Sequence, residues 1–268
     1  MNDILNEIVA RRRADVESKT VAIAEWKAKY RERTDFRPFR QALQQKMTQP
    51  DTAAIIAEIK RGSPAKGLFC PELDPATFAR DYETGGAACL SVLTEPHRFF
   101  GAMDDLVAAR QNCTLPVLQK DFIVTDLQIL EAALYADAVL LIARCLEQSQ
   151  LADYHALATE HHLDVLVEVF DECDIDKIAP FHFPLIGINH RNLATMQIDL
   201  ERSKALCARF APDQTVVAAS GIKNRGDIET LMPLGIRTFL IGESLSTSPN
   251  RVTLLKELVS HGGTETRR

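Results

Sequence analysis

Eight short runs rich in Val, Ile and Leu recur from residue 55 onward, and longer amphipathic segments separate them. The runs are 55–60, 89–93, 116–120, 138–142, 165–169, 185–189, 215–219 and 238–242. Strands that alternate with helical segments read as consecutive βα units around a parallel sheet. Eight such units predict an α/β fold closed into a (βα)8 TIM barrel. The 268 residues suit one barrel, which takes about 250, so residues 1–268 are expected to form a single domain.

Several connecting helices announce their ends. Asp74-Pro75 opens one, with Asp74 as N-cap and Pro75 at the first helical position, where its missing N–H costs nothing. Gly85-Gly86 closes it. Thr125 caps a helix starting at Asp126, and a run from Asn224 to Leu231 stops before Pro233 and Gly235. Ahead of the first strand, Ile4, Leu5, Ile8, Val9 and Val16 recur at helical spacing, which predicts an N-terminal helical extension over residues 1–48. It either covers the barrel bottom or folds over the mouth. Residues 262–268 are polar and glycine-containing and read as a flexible tail.

Charge limits the partners. The 31 Lys and Arg residues are outnumbered by 37 Asp and Glu, giving a net charge of -6. That balance argues against a nucleic-acid partner, whose backbone needs clustered cations. The one dense cationic run, Arg11-Arg12-Arg13, reads as a solvated helix face. Six dispersed cysteines without a Cys-x-x-Cys pair read as reduced core thiols, with no metal site. Neither a signal peptide nor a membrane span of about 18 apolar residues is present, so the expected location is cytoplasmic, with no membrane partner.

In such barrels the C-terminal strand ends face the active site. Those ends are unusually charged here. Glu58 and Lys60 fall on one face of strand 1 by the two-residue alternation. Lys120 ends strand 3, Glu168 lies in strand 5 and Asn189 ends strand 6. Two acids and two lysines meeting at one mouth suit general acid/base chemistry, since burial and mixed charge tune proton affinity. Phosphate is commonly held by the loops after strands 7 and 8, where Ser220-Gly221 and Gly242-Glu243-Ser244 occur. Ser63, in the turn after strand 1, supplies a further donor. Pro64, Phe99, Leu118 and Phe122 offer an apolar wall for a ring.

Taken in order, Glu58-Ile59-Lys60-Arg61-Gly62-Ser63-Pro64, Leu90 to Glu95, Lys120-Asp121-Phe122-Ile123-Val124, Ile186-Gly187-Ile188-Asn189 with Arg191-Asn192-Leu193, Ser220-Gly221-Ile222 and Phe239 to Leu245 resemble the indole-3-glycerol-phosphate synthase family. The resemblance covers nearly the whole chain. It implies a carboxy-lyase of tryptophan biosynthesis, which closes an indole ring on 1-(2-carboxyphenylamino)-1-deoxyribulose 5-phosphate with loss of carbon dioxide and water. It implies no cofactor and no metal. Lys120 would be the general acid of ring closure, Lys60 would sit near the carboxylate, and Glu168 and Glu58 would share the later acid/base work. Which lysine and which glutamate serves each step stays open. Asn189 and Arg191 would bind the polar middle and carboxylate region. Ser63, Ser220, Gly221, Gly242 and Glu243 would take the phosphate, and Pro64, Phe99, Leu118 and Phe122 would line the ring pocket; Leu240 joins the binding set. The expected partner is a phosphorylated small molecule bound by a monomer, with at most weak association with other tryptophan-pathway enzymes.

One departure stands out. The family has glutamate before the Ser-Gly pair after strand 7, whereas this chain has Ala219. A missing carboxylate would be expected to slow turnover, and it keeps open a non-catalytic or substrate-altered paralogue. A related sugar-phosphate isomerase is the other alternative, which the charged ends of strands 1, 3 and 5 disfavour. Ala65, where serine is usual, and His190, where a small polar residue is common, are lesser differences.

Overall fold

The computed structural model of the chain describes residues 4–17, 33–192 and 195–260. Eight parallel strands, β1 (Ala54–Ile59), β2 (Cys89–Leu93), β3 (Val117–Lys120), β4 (Ala138–Ile142), β5 (Asp164–Val169), β6 (Leu185–Asn189), β7 (Thr215–Ala219) and β8 (Thr238–Ile241), close into a barrel. Each pairs with its sequence neighbours, and β8 returns to β1, with Ala54 opposite Thr238 and Ala57 opposite Ile241. The predicted strands coincide with these to within one residue at either end. Lys60 itself lies just past β1, ahead of a small hairpin formed by Gly62–Ser63 and Gly67–Leu68.

The apolar residues fall into two clusters, which is what a barrel requires of strands buried on both faces. Ile55, Ala57 and Ile59 of β1 pack outward with the helices. Ala54 and Ile56 point inward with Leu118, Leu140, Leu166, Leu185 and Val217. Strand alternation therefore carries the inner face upward from Ile56 to Glu58, from Leu118 to Lys120 and from Leu166 to Glu168. An apolar plug underlies a charged mouth.

The helices between strands start and stop on local signals. In α3 (Pro75–Gly85), the Asp74 carboxylate accepts from the amides of Ala76 and Thr77, and Gly86 closes the helix at φ 90°. Only a residue without Cβ adopts that angle at no steric cost. In α5 (Asp126–Tyr135), Gln128 reaches back to the amides of Val124 and Thr125 and donates to the Phe122 carbonyl, which fixes the loop after β3. In α9 (Arg225–Leu231), Asn224 accepts from the Asp227 amide.

The two described helices of the N-terminal segment lie at opposite ends of the barrel. Helix α2 (Phe39–Met47) buries Phe39 and Leu43 completely in the inner cluster below the barrel. The segment before it is pinned there by arginines. Arg33 donates to the carbonyls of Ala133 and Ala136, and Arg37 to those of Cys113 and Leu115, all at the lower ends of β3 and β4. Helix α1 (Ile4–Glu17) instead lies at the mouth. Its Leu5 and Ile8 join the cluster that reaches Phe99 and Phe122, and its Glu7 pairs with Arg98. Arg12 grips Asp121, the residue after β3, through Nε at 2.9 Å and Nη2 at 2.8 Å. The cationic run is thus not uniformly solvated, because Arg12 is only 5% exposed. Residues 18–32 and the 262–268 tail lie outside the described residues.

The cysteines also divide. All six are free, but only Cys89 and Cys113 are buried, and Cys173 is exposed. Their widely spaced sequence positions held no information on this point. Among the described residues no helix is long and apolar enough to cross a membrane.

The bottom plug depends on one buried carboxylate. Asp137, 1% exposed, accepts from Arg33, from Arg110 and from the amides of Arg37 and Val117. Asp137→Ala removes the shared carboxylate from two part-buried guanidinium groups, which keep Asp35 as a partner, and leaves the Arg37 and Val117 amides without their acceptor, so equilibrium urea unfolding should register a loss of about 2–3 kcal/mol. A loss below about 1 kcal/mol would mean that water replaces the carboxylate freely.

Candidate active site

At the top of the inner face, Glu58 and Glu168 are each only 4% exposed. A carboxylate removed from water this far needs a charged or hydrogen-bonding partner, and each has one. The Lys60 ammonium donates to Glu58 at 2.5 Å. Lys120 Nζ stands 3.7 Å from Glu168 Oε2, while Asn189 Nδ2 donates to the other oxygen at 3.0 Å. The Asn189 carbonyl oxygen accepts in turn from the Arg191 amide. The chain of contacts runs from β3 through β5 to β6. It leaves the ammonium of Lys120 separated from its carboxylate by more than a hydrogen bond.

Glu58, Lys60, Lys120, Glu168 and Asn189 all line one cavity of about 480 Å³. Ser63, Pro64, Phe99, Arg191, Ser220, Gly221, Leu240, Gly242 and Glu243 complete the predicted set that borders it. Two predicted ring-pocket residues do not line it. Leu118 is two positions below Lys120 on the same strand face, so it belongs to the apolar layer beneath and is fully buried. Phe122 stands behind Phe99, the two ring centroids 6.0 Å apart. It supports the wall from the rear.

Across the barrel from Lys120 and beside Lys60, the strand 7 and 8 loops bring backbone close to the cavity. Ser220 and Gly221 both adopt left-handed φ, at 71° and 85°. Among the described residues, no hydrogen bond is donated by the amides of Ser220, Gly221 or Gly242. The Ser63 hydroxyl is buried at the cavity wall and likewise has no protein partner. Free donors on one wall are what an anion needs.

Cations surround the same region. Lys66 pairs with Glu243 at 2.7 Å across the mouth. Burial pushes the Glu243 carboxyl up, but the hydrogen bond and charge of Lys66, with Lys60 and Arg191 beyond it, outweigh that and hold it below the usual carboxylate range. Sequence reasoning missed Lys66, although its place two residues past Pro64 in the strand 1 loop was the available signal. It also missed Met196 and Ile198, apolar lining from the loop after β6. Nothing in their spacing tied them to the site.

Fold and site define a (βα)8-barrel protein in which paired lysines and carboxylates face a wall of donors without partners among the described residues. The comparisons with known proteins narrow this. The profile of the Indole-3-glycerol phosphate synthase family matches residues 5–258. Relatives so described include a Desulfosudis oleivorans protein, 46% identical over 97% of this chain and 100% of that one. A Leptothrix cholodnii protein is 40% identical over 91% and 94%, and a Neisseria gonorrhoeae protein 43% identical over 91% and 94%. The chain belongs to the indole-3-glycerol phosphate synthase family, carboxy-lyases of tryptophan biosynthesis. At the level of fold alone, it resembles the tryptophan synthase subunit alpha of Legionella pneumophila, with a TM-score of 0.59 at 15% identity over 82% of this chain and 96% of that one.

These findings favour the synthase reading. They give no support to slowed turnover, an altered paralogue or an isomerase. Ala219 lies at the cavity wall, in register with Asn189 of β6 and Leu240 of β8. Among the described residues, no cluster of His, Cys, Asp and Glu could hold a metal ion.

Gly242 is required by Glu58. A Cβ there would stand 2.2 Å from Glu58 Oε1. Gly242→Ala should therefore displace the carboxylate by an ångström or more and lower kcat roughly 10²-fold, with far-UV circular dichroism unchanged. A kcat within twofold of the parent would show that the carboxylate has room to move aside.

Proposed function

We propose that the chain converts 1-(2-carboxyphenylamino)-1-deoxyribulose 5-phosphate to indole-3-glycerol phosphate, acting as a single-domain monomer in the cytoplasm. The observation that carries this reading is the sharing of one cavity by Glu58, Lys60, Lys120 and Glu168 with the unpaired donors of Ser63, Ser220, Gly221 and Gly242. The anionic end of such a substrate fits the donor wall. Its aromatic ring fits the apolar side made by Pro64 and Phe99.

In this reading the phosphate is fixed first, and its binding energy orients the rest of the molecule. The aromatic carbon bearing the carboxylate then attacks the ketone carbon. Lys120 delivers a proton to the ketone oxygen as the C–C bond forms, since an alkoxide left in a nearly dry site would be costly. The carboxylate leaves as carbon dioxide, and its electron pair restores the aromatic ring. Lys60 stabilises that carboxylate until it departs. Loss of the new hydroxyl as water, protonated by Lys60 as it departs, with removal of a proton from the adjacent ring CH2, completes the indole.

Glu168 is suited to take that last proton, and Asn189 keeps it turned toward Lys120. Glu58 holds the Lys60 ammonium in place close to the departing carboxylate. Arg191 anchors the polar middle. The balance is one substrate to one indole product, one carbon dioxide and one water, with no outside oxidant or reductant.

Lys120→Ala removes the proposed general acid. Following the absorbance of the indole product, kcat should fall about 10²- to 10⁴-fold, with KM changed much less. Undiminished kcat would exclude Lys120 from the proton transfer and return the role to Lys60.

A further inference from the structure

His190 follows β6 directly and is completely buried, yet it does not line the cavity. Its amide donates to the Ala219 carbonyl at 2.9 Å, which ties the end of β6 to the end of β7. Its ring is held at both nitrogens. Nδ1 stands 3.0 Å from the Ser220 carbonyl oxygen, and Nε2 stands 2.7 Å from Ser203 Oγ. A carbonyl oxygen can only accept, so Nδ1 carries the proton. Burial, with Arg202 nearby, disfavours the charged ring, and the opposing pull of the Ser220 carbonyl and Asp199 is weaker. In the neutral ring, Nε2 then accepts from the Ser203 hydroxyl. Ser203, in α8 (Arg202–Leu206), is itself fully buried, so that end of the clamp is fixed.

What the ring grips is a residue in an unfavourable conformation. Ser220 has φ 71°, a region that side chains bearing a Cβ disfavour and that persists only where surroundings impose it. Gly221 follows at φ 85°, where a Cβ would meet Ile198 at 2.4 Å. The amides of both residues are those left without a protein acceptor at the cavity wall.

We propose that His190 is a positioning residue: clamped between Ser203 and the Ser220 carbonyl, it holds the Ser220–Gly221 turn in the left-handed shape that presents its amides to the phosphate of the substrate. The inference rests on the reading of that turn as part of the phosphate site. It assigns His190 no contact with substrate and no proton transfer in the reaction.

Steady-state kinetics on the full chain, with inorganic phosphate as competitive inhibitor, test it. His190→Asn keeps a donor near the Nδ1 position, whereas His190→Gln keeps a polar group near Nε2 and loses the donor to Ser220. His190→Ala and His190→Gln should each raise KM and the phosphate inhibition constant roughly three- to tenfold, the effect of one lost hydrogen bond, with kcat within twofold. His190→Asn should recover most of the loss. Ser203→Ala, a smaller change that keeps the ring, should raise both constants in the same direction and provides the decision should His190→Ala fail to fold. Unchanged phosphate inhibition in His190→Gln and Ser203→Ala, or a fall in kcat alone, overturns the positioning role. A parent enzyme that phosphate does not inhibit competitively overturns the phosphate site itself, and is told apart by needing no variant.

Discussion

Two carboxylates almost out of reach of water, Glu58 and Glu168, set the terms for the upper half of this barrel. An isolated buried carboxylate is costly enough that it would protonate or pull in a partner. Lys60 and Lys120 supply the partners, and Asn189 supplies a neutral donor. The lysines are consequently brought into the barrel mouth from strand ends where they could have turned to solvent. Gly242 has no side chain because the Glu58 carboxylate fills the space that one would use. Electrostatic necessity and catalytic suitability coincide at these positions: the pairs that make burial tolerable are also proton donors and acceptors facing one cavity.

The mouth is held in shape from behind. Asp121 follows Lys120 directly and is 1% exposed, accepting from Arg12 of α1, from Thr94 and from the Phe122 amide. Glu95, fully buried, accepts from the amides of His97, Arg98 and Phe99 and so folds the loop that carries the Phe99 wall. Helix α1 spans both, through Arg12 on one side and Glu7 with Arg98 on the other. An N-terminal element outside the eight repeats thereby braces two of the loops that make the site.

Periodicity carried most of this. A two-residue repeat is enough to place Glu58 and Lys60 together, and eight such repeats leave little choice but closure. The same repeat, followed one step further, would have shown Leu118 in the layer below Lys120 and so beneath the cavity. Other features depend on contacts between distant parts of the chain, which local spacing does not encode. The burial of Arg12 against Asp121 spans 109 positions. The division of the N-terminal extension between the two ends of the barrel, and the ring of His190 behind Ser220, are of the same kind. Phe122 was legible as part of an apolar wall, but its depth behind Phe99 was not.

A crystal structure with indole-3-glycerol phosphate bound would show whether the donor wall and the two lysines serve one ligand. The phosphoryl oxygens should lie within hydrogen-bond reach of the Ser220, Gly221 and Gly242 amides and of the Ser63 hydroxyl. The indole should lie against Pro64 and Phe99, close to both lysines. A phosphate seated elsewhere, or a ring lying beyond reach of Lys60 and Lys120, would contradict that placement.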